Sequence, residues 1–272
     1  MISSPSRLLR LALAAGVAAL AAGCTSTRSA EPVRVVLVHG AWSDATAWDR
    51  VAADLDARGF SVATVNLPGH GADETPAEQL SLSAYADAVV AALPASGKAL
   101  LVGHSMGGMV ISQVAERVPE RIAKLVYVAA YLPQDGQSLY QISMTDKDSK
   151  VGRYWRQDDP QKYTPATIAR EGIVEVFCAD CSAEDRRMLV DRHKAEAVAP
   201  LGTPVRLTPT RFGSVPRAYV HTTQDNAVSY ALQRSMLAAA GTADPVVTLQ
   251  ASHMPMLSQP KAVADAIAGA AR

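Results

Sequence analysis

Gly103-His104-Ser105-Met106-Gly107 lies between an apolar run, Ala99 to Gly103, and a helix-forming stretch, Met106 to Arg117. A strand that turns into a helix within so few residues leaves the central side chain exposed at the tip, with glycines where a Cβ would collide. A serine at that tip is a candidate nucleophile, and Gly108 adds a third small residue. The free N–H groups and positive dipole end of the following helix face the place where an oxyanion would form.

A serine hydroxyl is a weak nucleophile at neutral pH and needs a base within hydrogen-bond reach, held in the right tautomer by a carboxylate. Of the six histidines, His253 follows the last strand-like run, in Ala251-Ser252-His253-Met254-Pro255. There the chain order serine, acid, histidine places the base. His39 and His104 adjoin the glycines of two sharp turns and read as packing or loop-fixing groups, and His70, in Leu67-Pro68-Gly69-His70-Gly71, as a loop-ordering one. His193 and His221 have no such context. The acid is expected in the loop after the penultimate strand, where Tyr219-Val220-His221-Thr222-Thr223-Gln224-Asp225 supplies Asp225. Its structural alternative is an N-cap of the helix that follows. Asp244 stands too close to the next strand. The second oxyanion donor should come from the loop after the first strand, His39-Gly40-Ala41-Trp42, so the backbone amides of Ala41 and Met106 form the expected pair. Trp42 either lines the acyl pocket or joins the core.

The elements that must position these groups alternate along the chain. Strand-like runs are Val33 to Val38, Phe60 to Asn66, Ala99 to Gly103, Lys124 to Ala130, Arg217 to Thr222 and Pro245 to Gln250. Several are almost wholly apolar, as strands buried on both faces must be. Helical stretches are Thr46 to Arg58, Ser81 to Leu93, Met106 to Arg117, Ala227 to Ala240 and Lys261 to Ala270. The pattern predicts an α/β fold with a mostly parallel, doubly wound, six-stranded sheet. It breaks between Tyr131 and Val215, which carries Pro133, Pro160, Pro165, Pro200, Pro204 and Pro209. A structureless loop of that length is uncommon in a compact domain, so residues 131–215 are expected to form a helical cap over the sheet's carboxyl edge. Tyr131, Tyr140, Tyr154, Trp155 and Phe177 are its candidate pocket walls, with cap core as the alternative for several of them.

The 272 residues suit one large domain spanning 33–272. Hydrophobic residues at 49% and charged residues at 19% exclude a disordered chain. With 26 basic residues against 26 acidic, no long-range field draws in nucleic acid or an anionic membrane, and a neutral small-molecule substrate is expected. No metal or cofactor is implied. Residues 1–23 have export-signal architecture: Arg7 and Arg10 precede the apolar run Leu11 to Ala22. The run Leu20-Ala21-Ala22-Gly23-Cys24 resembles a bacterial lipoprotein signal. That likeness implies lipidation of Cys24, a tether over 24–32, and a periplasmic protein anchored to the outer membrane; simple secretion is the alternative. In Phe177-Cys178-Ala179-Asp180-Cys181 the two cysteines either form a local disulfide or remain separate thiols. The oligomeric state is left open, with a homodimer as one option.

Val38-His39-Gly40-Ala41-Trp42, Gly103-His104-Ser105-Met106-Gly107-Gly108 and His253-Met254-Pro255-Met256-Leu257-Ser258 together resemble the plant methylesterase and hydroxynitrile lyase family of the α/β-hydrolase superfamily. Its bacterial relatives include pyrethroid-hydrolysing carboxylesterases. The resemblance implies the α/β-hydrolase fold, the triad Ser105, Asp225 and His253, and oxyanion amides from Ala41 and Met106. The substrate-pocket candidates are Trp42, Tyr131, Trp155 and Met254. In the lyases a Lys follows the catalytic His and a Thr follows the His of the first loop; here those positions hold Met254 and Gly40, which points to ester hydrolysis over cyanohydrin cleavage. The expected activity is that of a serine carboxylesterase acting on a small to medium, largely apolar ester. An amidase or lactonase with the same triad and a slow-turnover ligand-binding protein are the alternatives.

Overall fold

The computed structural model describes Met1 and residues 32–272. The leader beyond Met1, Cys24 and the tether as far as Glu31 lie outside the described residues. The central sheet has six strands: β1 (Arg34–Val38), β2 (Ser61–Val65), β3 (Ala99–His104), β4 (Ile122–Val128), β7 (Arg217–Thr222) and β8 (Val246–Leu249). Their order is β2-β1-β3-β4-β7-β8, and every neighbouring pair is parallel.

Alternate strand residues enter two cores, as the period of two demands. Val36, Val38, Leu101, Leu125, Tyr127 and Tyr219 pack with residues of the helices α2 (Leu82–Ala92), α3 (Gly107–Arg117) and α9 (Tyr230–Ala240). On the other face Val35, Leu37, Leu100, Val102, Val126 and Val220 pack with α1 (Asp49–Ala57) and α10 (Pro260–Ala270). Burying each such aliphatic side chain contributes about 1.5–3 kcal/mol, and both faces being apolar is why the strands read as continuous hydrophobic runs.

Two helix starts differ from expectation, each because a side chain captures the first amides. The stretch Thr46 to Arg58 begins as a 3-10 turn, Ala45–Trp48, where Asp44 accepts from the Thr46 N–H at 2.8 Å. The helix expected from Ala227 begins at Tyr230: the Ala227 and Val228 amides donate to Asp225, and Ser229 caps the helix by accepting from Leu232 N–H at 3.1 Å.

Between β4 and β7 the chain leaves the sheet and forms the cap. It contains five short helices, α4 (Leu139–Ser143), α5 (Val151–Tyr154), α6 (Ile173–Phe177), α7 (Ala183–Arg192) and α8 (Val198–Gly202). It also contains an antiparallel strand pair, β5 (Trp155–Gln157) with β6 (Ala166–Ile168), extended by a bridge from Ala166 to Glu196. The cap is helical as expected, with one short strand pair added. Three-residue strands are too short to show alternation, and their pairing depends on partners the local sequence does not name.

Because the chain moves from β1 outward to β2 and then crosses to β3 on β1's other side, the sheet has a switch point between β1 and β3. Ligands of doubly wound sheets bind at the carboxyl ends of strands at such a point. The loop after β1 holds Gly40-Ala41-Trp42 and the turn after β3 holds Ser105, so both converge there.

Candidate active site

Ser105 occupies the turn between β3 and α3 with φ +53°, a left-handed conformation that a side chain rarely adopts. The turn closes only because its neighbours lack a Cβ: one added at Gly103 would stand 2.6 Å from the Gly107 carbonyl oxygen, and one at Gly107 2.8 Å from that of His39. Backbone bonds from Gly108 N–H and Tyr131 N–H to the Ser105 carbonyl, 3.0 and 3.1 Å, hold the strained residue in place. The turn thus stores strain that the surrounding structure sustains.

Asp225 and His253 come from the ends of β7 and β8. Pairing continues past both strands, with Thr223 N–H to Leu249 O and Gln224 N–H to Ala251 O, each 3.0 Å, and this ladder carries the two loops to the same place. His253 Nδ1 donates to Asp225 Oδ2 at 2.8 Å, and the pair is almost fully buried. Asp225 also accepts from Thr222 Oγ1, Gln233 Nε2 and the amides of Ala227 and Val228, at 2.8 to 3.1 Å. The two carboxylate oxygens divide the work: Oδ2 serves the triad and Oδ1 takes two amides of its own loop, while the helix cap expected as this aspartate's alternative falls to Ser229. With Nδ1 committed to Asp225, the remaining ring nitrogen, Nε2, is the one free to take a proton. Among the described residues His253 makes no other side-chain hydrogen bond, and contacts from serine to base often tighten only when substrate is bound.

His104 donates from Nε2 to the His253 carbonyl at 2.8 Å, with the two rings 4.6 Å apart. Burial first, and then the neighbouring His253, depress its pKa well below the ordinary value, so it stays neutral beside the nucleophile. His39 accepts from Leu67 N–H at 3.1 Å on Nε2 and donates from Nδ1 to Gly40 O at 2.8 Å. Burial and nearby His70 push its pKa down to about 3. His70 places both ring nitrogens against acceptors, Pro68 O at 3.0 Å and Glu196 Oε2 at 2.8 Å. Only the doubly protonated ring satisfies both. Burial alone would lower its pKa, but the hydrogen bond to Glu196 and that residue's charge outweigh burial and raise it. All three histidines therefore fix loops, as their places beside glycines suggested.

Ser105 and His253 line one cavity together with Ala41, Trp42, Met106 and Tyr131. Trp155, Tyr140 and Phe177 complete its wall from the cap. Among the described residues the amides of Ala41 and Met106 donate to no other group, which leaves both free for a ligand oxygen. Two expected wall residues stand elsewhere. Met254 lines an adjoining recess that shares Ala41, Trp42, Phe177 and His253 with the cavity, and its own amide donates to the Phe177 carbonyl at 3.1 Å. Tyr154 turns into the cap's interior, donating to Glu175 at 2.6 Å.

Three features carried no readable signal. Gln233 bridges Thr222 and Asp225 from a helix face, and only its place between the buried Leu232 and Met236 hinted that it is internal. Glu196 is fully buried although Lys194-Ala195-Glu196-Ala197 reads as a solvated turn. The pairing of Cys178 with Cys181, left open by spacing, is a disulfide whose Cα atoms lie 5.2 Å apart. Its loop reaches the catalytic region: Asp180 accepts from the Ser252 amide at 3.1 Å and from the Ser252 hydroxyl. Among the described residues no cluster of three or more His, Cys, Asp or Glu is placed to hold a metal ion.

A doubly wound parallel sheet with a strained serine at the end of β3, a buried His–Asp pair at the ends of β7 and β8, and two free amides at the switch point defines a class of enzymes. The chain belongs to the alpha/beta hydrolase family, whose model matches residues 35–266. A pyrethroid hydrolase of Sphingobium wenxiniae is 31% identical over 246 residues, covering 86% of this chain and 86% of the relative. Polyneuridine aldehyde esterase of Rauvolfia serpentina is 28% identical, covering 84% of this chain and 91% of the relative. The crystal structure of a pyrethroid hydrolase from Sphingobium faniae superposes with a TM-score of 0.77 at 28% identity, covering 87% of this chain and 96% of that one. The resemblance drawn from the three motifs is thereby confirmed.

Proposed function

We propose that the protein is a serine carboxylesterase that takes a small to medium, largely apolar ester and works through an acyl-enzyme. The family and its esterase relatives make it a hydrolase of the carboxylic ester class; substrate range and mechanism are our reading. The observation that carries it is the meeting of Ser105 and the Asp225-held His253 in one apolar-walled cavity beside two free amides.

In the reading, His253 Nε2 takes the Ser105 hydroxyl proton as Oγ bonds to the ester carbonyl carbon. The carbonyl oxygen becomes an oxyanion and is met by the Ala41 and Met106 amides, and the resulting imidazolium is stabilised by Asp225. Collapse expels the alcohol, which leaves with the proton from His253. Water, deprotonated by the same ring, then attacks the acyl-enzyme, and the acid leaves as Ser105 Oγ is reprotonated. Trp42, Tyr131 and Trp155 give the wall its apolar and aromatic character, which favours uncharged substrates.

Assay of the purified chain on a panel of chromogenic esters should show a burst of alcohol followed by slower turnover. Ser105→Ala should lower kcat by a factor on the order of 10⁶, and an unchanged rate in that variant would sink the mechanism. We propose further that the leader directs export and that Cys24 is lipidated. The leader's sequence supports this, as does a disulfide of the kind that persists in oxidising compartments. Fatty-acid labelling of the parent but not of Cys24→Ser is the expected result; no labelling of the parent would leave simple secretion.

A further inference from the structure

Glu196 belongs to the cap, in the strip bridged to Ala166, and has no exposed surface. Its carboxylate gathers donors from three separate parts of the hydrolase core. The Trp42 N–H reaches Oε2 at 3.2 Å, the His70 ring reaches the same oxygen at 2.8 Å, and the Tyr85 hydroxyl donates to Oε1 at 2.9 Å. A second cap group grips the same tryptophan: the Ala166 carbonyl accepts from Trp42 Nε1 at 2.9 Å. A buried carboxylate is strongly disfavoured unless such partners surround it.

The residue gripped in this way is not an ordinary loop residue. Trp42 has φ +58°, a backbone that a bulky side chain keeps only when its surroundings hold it there. It directly follows Ala41, whose amide is one of the two free donors at the nucleophile. The peptide carrying that amide is pinned on its other side, where His39 donates to the Gly40 carbonyl at 2.8 Å. The direction of the Ala41 N–H is therefore set between two anchors, one from the core histidine and one from the cap.

We infer that Glu196 is a positioning residue for the oxyanion loop: by holding Trp42 from the cap, it aims the Ala41 amide at the oxygen that gains charge during ester cleavage. The inference rests on the esterase reading above. It makes cap docking and oxyanion-hole assembly a single event, since displacing the strip that carries Glu196 and Ala166 frees Trp42 at both its backbone and its indole.

The test compares wild type with Glu196→Ala and Glu196→Gln. Glu196→Ala should lower kcat by about 10- to 100-fold, less than the 100- to 1000-fold that loss of a whole oxyanion donor typically costs, with little change in KM. Glu196→Gln should recover most of that rate, because its carbonyl can accept from Trp42 and His70 while its amide donates to the Tyr85 oxygen. A trifluoromethyl ketone, whose adduct with Ser105 puts an oxyanion at the two amides, should bind Glu196→Ala weaker by the same factor as the loss in kcat. A non-electrophilic ether of matched shape should bind as it does to wild type. Should Glu196→Ala not fold, Glu196→Met fills similar volume without an acceptor and carries the same expectations. An unchanged kcat, equal weakening of ketone and ether, or a folded Glu196→Gln as slow as the apolar variant would overturn the role. A wild-type chain inactive on every ester would overturn the esterase reading instead, so the two failures are distinguishable.

Discussion

The acid–base half of the site and its oxyanion half are built on different supports. Asp225 and His253 stand at the ends of adjacent strands, and Asp225 is gripped by Thr222, by Gln233 of α9 and by two amides of its own loop, all parts of the sheet-and-helix framework. Trp42 and the Ala41 amide hang from the loop after β1, and the contacts that orient them include Glu196 and Ala166 of the cap. The carboxylate of the proton relay is thus wired into the framework, whereas charge stabilisation borrows part of its geometry from an inserted segment, which also touches the base's loop at Ser252 and Met254.

The largest expected break in that contrast is Asp225→Asn. It should lower kcat about 10⁴-fold by favouring the wrong imidazole tautomer, with the fold intact by circular dichroism; a loss under tenfold would show that Asp225 does not orient the base. Next, Gln233→Leu should destabilise the protein by about 1–3 kcal/mol, since it strips the Thr222 N–H and Asp225 of a buried partner. Urea titration measures this, and stability equal to wild type would mean that α9 does not support the acid.

Replacing Cys178 and Cys181 together by serine sharpens the comparison. The short loop closed by the disulfide predicts a stability loss of about 2 kcal/mol, while kcat should stay within about twofold, because the His253 ring is held by Asp225 and not by this loop. A large fall in kcat with little loss of stability would move His253 from framework control to cap control.

The smallest effect concerns His70, which faces Glu196, Tyr85, His39 and Asp73. Its pKa is raised in the folded protein. Its contribution to stability is therefore fully present below the ordinary histidine value of about 6.5 and is lost as pH rises through the folded value. The melting-temperature gap between wild type and His70→Gln should narrow as pH rises from 6 toward 9. Parallel curves would show that the His70–Glu196 contact does not carry a proton-linked charge.

Much of the framework half was legible before any coordinates. Ser105 is marked by glycines whose Cβ positions are filled by backbone, and His253 and Asp225 by their places after strands whose apolar runs are unmistakable. Burial on both faces leaves few polar residues in such strands, so their ends are easy to see. The places of Met254 and Tyr154 were not legible, for a different reason. Both are apolar or aromatic residues near the site in sequence, and composition cannot tell a cavity wall from the core behind it.

The sequence by itself determined the sheet, the nucleophile turn and the order of serine, acid and base, because periodicity, glycine sterics and strand ends are local properties of the chain. Only the tertiary structure decided that Glu196 is buried against Trp42, that Gln233 braces Asp225, and which aromatic side chains face Ser105. Each of these depends on groups brought together across tens of residues or more, or on which way a helix face turns, and the energy that selects them exists only once both partners have left water.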